Sequence, residues 1–158
     1  GPTMLVLSRQ KLPIFDRNQV APAKGVARGA YILSKEQGDI PKAILIATGS
    51  EVQLILKAQE SLSKIGIDVR VISMPSWELF RQQPKSYQDQ ILPLSVTLRL
   101  TVEAAAPIGW HEWLGKEGEV IGMTTFGTSA PANDLFKHYG FTVANIVDKI
   151  KNKLSHQS

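Results

Sequence analysis

One stretch of the chain decides the fold: Ala43-Ile44-Leu45-Ile46-Ala47-Thr48-Gly49-Ser50-Glu51-Val52. Its first five residues are apolar without alternation, which is the pattern of a strand covered on both faces. Gly49 permits a sharp turn, because a residue without a Cβ atom tolerates a positive φ. Ser50 is predicted to cap the following helix, with Gln53 at the third position of a capping box. The stretch therefore predicts a strand, a turn and the start of a helix.

A second strand follows this helix. Gly66 is predicted to end the helix, and an apolar run begins again at residues 69–74. The two strands are expected to be parallel and joined by a right-handed crossover. The buried helix face is predicted to consist mainly of apolar residues: Val52, Ile55, Leu56, Gln59, Leu62 and Ile65.

Three further strands are predicted around this βαβ unit. They lie at residues 30–34, 97–102 and 118–123. The first is expected to turn back through residues 36–39 and to lie antiparallel beside the central strand. The sheet is therefore predicted to be mixed, with an antiparallel edge and helices on both faces.

Other helices are predicted from their caps and stops. Ser76 is a candidate cap for a short helix that ends before Pro84, and a further helical turn is expected over residues 86–92. Pro131 suits the first turn of a helix that reaches Tyr139, and Thr142 is predicted to cap the last helix. The buried face of that last helix is expected to be Ile146, Val147, Ile150 and Leu154.

Composition restricts the class of protein. The chain has 158 residues, of which 43% are hydrophobic and 20% are charged, as in a globular domain with a sizeable core. No apolar run approaches the length of about 18 residues that spans a bilayer. Cysteine is absent, which suits a reducing compartment. The net charge of +4 is dispersed apart from Lys149, Lys151 and Lys153, so neither a nucleic acid nor a membrane is predicted as a partner.

The ends of the predicted strands are the place to look for a ligand. A candidate ligand loop there consists of Thr48, Gly49, Ser50, Ser76 and Ser129. The turn after the central strand has one glycine and lacks the dinucleotide and phosphate-loop patterns. Glu51 adds a negative charge that would repel a phosphate. An ordinary crossover helix is therefore favoured over an anion site, although both interpretations stay open.

Further candidates for chemistry are few. Arg9 follows the strand-like run 4–7 and is a possible phosphate contact, with a solvated loop arginine as the alternative. His111, His138 and His156 show no metal-site spacing. Trp110 and Trp113 form an aromatic cluster that is expected to seal a contact between domains, or else to form a ligand surface. No self-contained active site is predicted.

Several segments resemble transketolase, and they keep the order of that family over nearly the whole chain. Ser8-Arg9-Gln10-Lys11-Leu12-Pro13, within residues 1–13, looks like the end of the middle, pyrimidine-binding domain. Residues 24–31 resemble the following linker. The Ser-Arg-Gln-x-Leu-Pro pattern favours transketolase over deoxyxylulose-phosphate synthase and the pyruvate dehydrogenase β chain, which share its domain plan. The segments similar to the C-terminal domain are residues 46–52, 70–76, 102–104, 109–110, 125–131 and 140–142.

The resemblance implies a three-layer αβα fold whose sheet of about five strands is mostly parallel with one antiparallel strand. It implies that residues 1–29 are an end strand and linker, and that residues 30–158 are a non-catalytic C-terminal domain. The complete enzyme would be a cytoplasmic homodimer (or would lie in an organelle stroma) in the pentose phosphate pathway. It would transfer a two-carbon ketol unit between sugar phosphates, using thiamine diphosphate and Mg²⁺ that are bound by other domains. Arg9 would contact the sugar phosphate, and the isolated chain would be inactive.

A second interpretation comes from a different class of protein. The chain would then be an independent binding or regulatory module that recognises a small anion or a protein partner through the strand-end loops. No constellation of residues supports this alternative, and the run of strand-like residues at the start of the chain argues against it.

Overall fold

The computed structural model describes Pro2, Met4 and residues 10–156. The predicted strand at residues 4–7, apart from Met4, and Arg9 lie outside the described residues. The strands are β1 (Tyr31–Ser34), β2 (Ala43–Ala47), β3 (Val69–Ser73), β4 (Arg99–Val102) and β5 (Glu119–Ile121). The helices are α1 (Val52–Ser63), α2 (Trp77–Arg81), α3 (Lys85–Ile91), α4 (Ala132–His138) and α5 (Val143–Ser155). Short 3₁₀ helices cover Ala23–Arg28, Gly49–Glu51 and Trp110–Glu112.

The five strands form one mixed sheet in the order β1-β3-β2-β4-β5. β2 pairs in parallel with β3 and with β4, and β5 is parallel to β4. β1 is antiparallel, as predicted, but it pairs with β3 and not with β2. The predicted adjacency of β1 and β2 is therefore wrong, because β3 lies between them and uses the strand edge that β1 would have needed.

β2 is the buried centre of the domain. All five of its residues are buried, which confirms the prediction from its uninterrupted apolar run. Leu45 contributes to a core formed with α1 and α5, whereas Ile44 and Ile46 contribute to a second core with α2 and α3. The alternation of side chains along a strand produces this division. The sheet therefore has helices on both faces, in an αβα arrangement.

The predicted caps at Ser76 and Thr142 are confirmed. The Ser76 hydroxyl accepts the backbone N–H of Leu79 at 3.2 Å, and the Thr142 hydroxyl accepts that of Asn145 at 3.2 Å. Pro131 precedes α4 as its N-cap rather than occupying its first turn. On α5, Ile146 and Ile150 are buried, with Val147 and Leu154 packed beside them, as expected. In contrast, the prediction that Ile65 lies on the buried face of α1 is wrong, because Ile65 lies beyond the end of that helix and is 53% exposed.

The segment before β1, which resembles a linker in sequence, has local structure of its own. It contains the 3₁₀ helix Ala23–Arg28, and Phe15 packs against the core on the α1 side of the sheet. The backbone N–H of Ala21 donates to the carbonyl of Leu33 at 2.8 Å. This segment therefore runs along β1, the antiparallel edge of the sheet. Within the described part of the chain, no helix has the length and apolar character needed to span a membrane.

A buried arginine connects the loops on the α3 side of the sheet. Arg99 is 7% exposed, and its guanidinium donates to the carbonyls of Leu92, Pro93, Val96 and Trp113 at 3.0–3.2 Å. Burial lowers the pKa of Arg99. Because backbone carbonyls satisfy this cation, the chain leading from α3 into β4 is held in place without a buried carboxylate.

Candidate functional site

The carboxyl ends of β2 and β4 define the expected ligand position. The chain leaves β2 towards β3 through α1 on one face, and it returns to β4 through α2 and α3 on the other. This reversal makes the gap between β2 and β4 the topological switch point, where open α/β sheets bind ligands. The loops that follow β2 and β4 therefore form the candidate site.

The turn after β2 differs from the predicted capping box. Gly49 has a φ of 57°, so its predicted left-handed conformation is confirmed. Ser50 does not cap α1, because Gly49–Glu51 forms a 3₁₀ turn before that helix begins. Its hydroxyl instead donates to Oε1 of Glu51 at 2.5 Å. The capping prediction for Ser50 is therefore wrong.

Glu51 is the residue of this site whose role sequence reasoning missed. It is 4% exposed, and its Oε2 atom accepts the backbone N–H of Ala104, which follows β4, at 3.2 Å. Burial is the main cause that raises its pKa, and the nearby carboxylate of Glu103 raises it further. The hydrogen bonds from Ser50 and Ala104 act in the opposite direction. A buried carboxylate thus spans the gap between the two strands.

The aromatic cluster after β4 belongs to the core of this chain. Trp110 is 0% exposed, and Trp113 is 5% exposed. Trp77 packs edge-on against Trp110, with their ring centroids 5.1 Å apart. The Nε1–H of Trp110 donates to Oε2 of Glu103 at 2.7 Å. Trp113 in turn packs against Phe80, with ring centroids 5.1 Å apart. Trp110 and Trp113 are therefore buried within this chain, and the predictions that they seal a contact between domains or form a ligand surface are wrong.

Glycine is required beside this cluster. Gly109 has a φ of 89°, and a Cβ atom built on it would lie 2.4 Å from the ring of Trp77. A side chain there would be strained and would also displace the ring. The close approach of Gly109 to Trp77 therefore fixes how the loop after β4 passes over α2.

The other predicted loop residues do not converge on one site. The Ser76 hydroxyl, besides capping α2, donates to Oε2 of Glu78 at 3.1 Å. Ser129 lies on an exposed loop before α4, where the neighbouring Thr128 hydroxyl contacts that of Tyr139 at 3.2 Å. Thr48 makes no side-chain hydrogen bond as the N-cap of the 3₁₀ turn. The Thr48–Glu51 turn, in contrast, is linked to the loop after β4 by the hydrogen bond from Ala104 to Glu51.

The surface cavities that we identified among the described residues lie elsewhere. We identified five such cavities, and none of them is lined by Thr48, Gly49, Ser50, Ser76 or Ser129. A cavity of about 430 Å³ opens at the opposite, amino-terminal edge of the sheet, between Lys42, Gly66 and Thr97. No group of three or more His, Cys, Asp or Glu side chains among the described residues could hold a metal ion.

The fold and its strand-end loops define a doubly wound α/β domain whose switch point is bridged by an acidic side chain of the chain itself. A family model described as the transketolase-like C-terminal domain matches residues 29–142. The chain belongs to this family of transketolase C-terminal domains.

Individual relatives agree with this assignment. The transketolase of Geobacillus stearothermophilus is 48% identical over 150 residues, which is 95% of this chain and 22% of that protein. The Pichia stipitis transketolase complex with sedoheptulose-7-phosphate superposes with a TM-score of 0.82 at 30% identity, over 94% of this chain and 21% of that one. Transketolase from Leishmania mexicana superposes with a TM-score of 0.72 at 37% identity, over 84% of this chain and 19% of that one. The chain thus spans about a fifth of the length of these relatives.

Proposed function

We propose that this chain is the C-terminal, non-catalytic domain of a transketolase that acts in the cytoplasm. The complete enzyme would transfer a two-carbon ketol unit between sugar phosphates in the pentose phosphate pathway. The observation that carries the proposal is the family match over residues 29–142, together with 48% identity to a transketolase over 95% of the chain. Thiamine diphosphate and Mg²⁺ would be bound by the preceding domains.

Within that enzyme, the chain would have two parts. Residues 1–29 would complete the preceding pyrimidine-binding domain and form the linker, and residues 30–158 would form the C-terminal domain. The domain would support the assembly of a homodimer and the architecture of the substrate site. Ile108 and Phe126, which are 81% and 97% exposed in the loops after β4 and β5, offer apolar contacts for neighbouring domains.

Arg9 is the one residue proposed to contact the substrate. It belongs to the Ser-Arg-Gln segment, whose arginine helps to bind the sugar phosphate in transketolases. A guanidinium can donate two parallel hydrogen bonds to phosphate oxygens, which suits this role. Arg9 would act only in the complete enzyme, because the cofactor and the catalytic residues would come from the other domains.

We do not propose that the chain is an independent anion-binding module. Glu51 and Glu103 both lie at the carboxyl edge of β2 and β4, where such a module would bind its ligand. Two carboxylates there would oppose a phosphate or another anion. The description of the chain as one domain of a larger enzyme therefore has the better physical support.

Calorimetric titration of the 158-residue chain with thiamine diphosphate and Mg²⁺, together with an assay of ketol transfer, tests the proposal that other domains bind the cofactor and catalyse the reaction. We expect no binding and no ketol transfer by the isolated chain. Binding in the micromolar range would contradict the assignment of the cofactor to other domains. A complete transketolase relative, titrated under the same conditions, provides the positive control.

A further inference from the structure

The Glu51 side chain crosses the switch point between β2 and β4. It starts from the 3₁₀ turn that follows β2, and its carboxylate reaches the backbone N–H of Ala104, just after β4. Only 4% of the residue is exposed. In other doubly wound sheets this position is where a ligand binds.

Both carboxylate oxygens of Glu51 accept hydrogen bonds from this chain. Oε1 accepts from the Ser50 hydroxyl at 2.5 Å, and Oε2 accepts from Ala104 at 3.2 Å. A hydroxyl and a backbone N–H beside the start of a helix are the donors that would otherwise hold the acidic group of a ligand. The side chain therefore satisfies the donors that an external anion would have used.

Several hydrogen bonds hold the loop after β4 (residues 103–109) in place, including the following three. Ala104 donates to Glu51 as described, and the carbonyl of Ala105 accepts the backbone N–H of Met123 at 2.8 Å. Glu103 accepts the Trp110 indole N–H. Of these three, the contact with Glu51 joins the loop to the end of β2.

We propose that Glu51 is a positioning residue whose carboxyl group takes the place of a ligand at the switch point and fixes the 103–109 loop to the end of β2. If the Glu51 side chain were removed, a small carboxylate would fit the space that it leaves.

The experiment measures hydrogen exchange at the Ala104 amide in the 158-residue chain. Glu51→Ala should speed exchange about fivefold to tenfold, as expected for the loss of one hydrogen bond. Glu51→Gln should exchange like the wild type, because its amide oxygen can accept the same bond. Acetate contains the atoms that Glu51→Ala removes, so acetate should slow exchange in that variant. Chloride at the same ionic strength serves as the control.

The outcomes separate positioning from general loss of stability. Recovery of Ala104 protection by acetate and by Glu51→Gln supports the proposal. Unchanged exchange in folded Glu51→Ala, or no effect of acetate beyond that of chloride, overturns it. So does exchange in Glu51→Gln as fast as in Glu51→Ala. If Glu51→Ala does not fold, Glu51→Asp decides. Its carboxylate is one methylene too short, so faster Ala104 exchange supports the proposal and unchanged exchange overturns it.

Discussion

Arg70 and Glu36 form a buried ion pair between β3 and the loop that follows β1. The Arg70 guanidinium donates two hydrogen bonds to the carboxylate, from Nε to Oε2 at 2.8 Å and from Nη2 to Oε1 at 2.5 Å. The two side chains are 9% and 1% exposed. Arg70 also donates to the carbonyls of Gln90 and Ile91 at the end of α3. One arginine thereby joins the antiparallel edge, β3 and α3.

Glu36→Gln should destabilise the domain by about 3–5 kcal/mol, because it leaves the buried Arg70 cation without its counter-charge. Urea denaturation measures the change in the free energy of unfolding. The matched control is Asp89→Asn, which removes an exposed ion pair with Lys85 and should cost at most about 0.5 kcal/mol. Equal losses of unfolding free energy in the two variants would show that the buried ion pair stabilises the domain no more than the exposed one.

Glu36 and Glu51 should give opposite dependences of stability on pH. Burial alone would raise the pKa of Glu36, but the hydrogen bonds and charge of Arg70, a backbone hydrogen bond and the charge of Lys35 outweigh it, so this pKa is lowered from 4.5. The contribution of Glu36 is therefore present above pH 4.5 and is lost as the pH falls through the lowered pKa.

The raised pKa of Glu51 has the reverse consequence. Its contribution is fully present below pH 4.5, the ordinary value, and is lost as the pH rises through the raised pKa. Glu51→Gln should therefore gain stability relative to the wild type as the pH rises from acid to neutral. Glu36→Gln should lose stability relative to the wild type over the same range. Urea denaturation at several pH values checks both signs, and a parallel pH dependence of the two variants would contradict the assignment.

The sequence predicts the interior strands, but it does not predict which strands pair with one another. An apolar run such as Ala43–Ala47 indicates burial on both faces. It does not indicate which strand lies beside it, and β1 accordingly pairs with β3 rather than with β2. Pairing depends on the whole sheet, whereas the pattern of side chains is local.

The candidate site was harder to predict for a related reason. The sequence identifies Glu51 only as a negative charge in the turn after β2, because its hydrogen-bond partner is a backbone N–H 53 residues further along the chain. Similarly, the pattern around Trp110 indicated burial but not the partner. Its aromatic neighbour Trp77 belongs to the same chain.

Ile46→Asp should unfold the domain. Ile46 is 0% exposed at the centre of β2, and burying an unpaired carboxylate there costs several kcal/mol. The melting transition should disappear or shift to a much lower temperature. Ile40→Asp is the control, since Ile40 is 66% exposed and should tolerate a carboxylate. A melt of Ile46→Asp identical to that of the wild type would refute the placement of this strand in the core.

Arg9→Ala should impair the complete enzyme selectively. Losing a charge-assisted hydrogen bond costs roughly 1.5–3 kcal/mol, or about a tenfold to hundredfold drop in kcat/KM for phosphorylated sugars. Lysine should not restore the loss, because it lacks the planar fork of arginine. Turnover of hydroxypyruvate, a donor without a phosphate, should hardly change. Equal losses for both kinds of substrate would require the phosphate role of Arg9 to be dropped.

The most direct test of the central claim is the ketol transfer activity of a chimeric enzyme. This chain would replace the matching C-terminal part of the Geobacillus stearothermophilus transketolase, to which it is 48% identical. We predict that the chimera transfers ketol units between sugar phosphates. Two controls should be inactive: the Geobacillus stearothermophilus enzyme without its C-terminal part, and the chimera that carries Ile46→Asp. A folded chimera that binds thiamine diphosphate and still has no ketol transfer activity would contradict the assignment of this chain as a transketolase C-terminal domain.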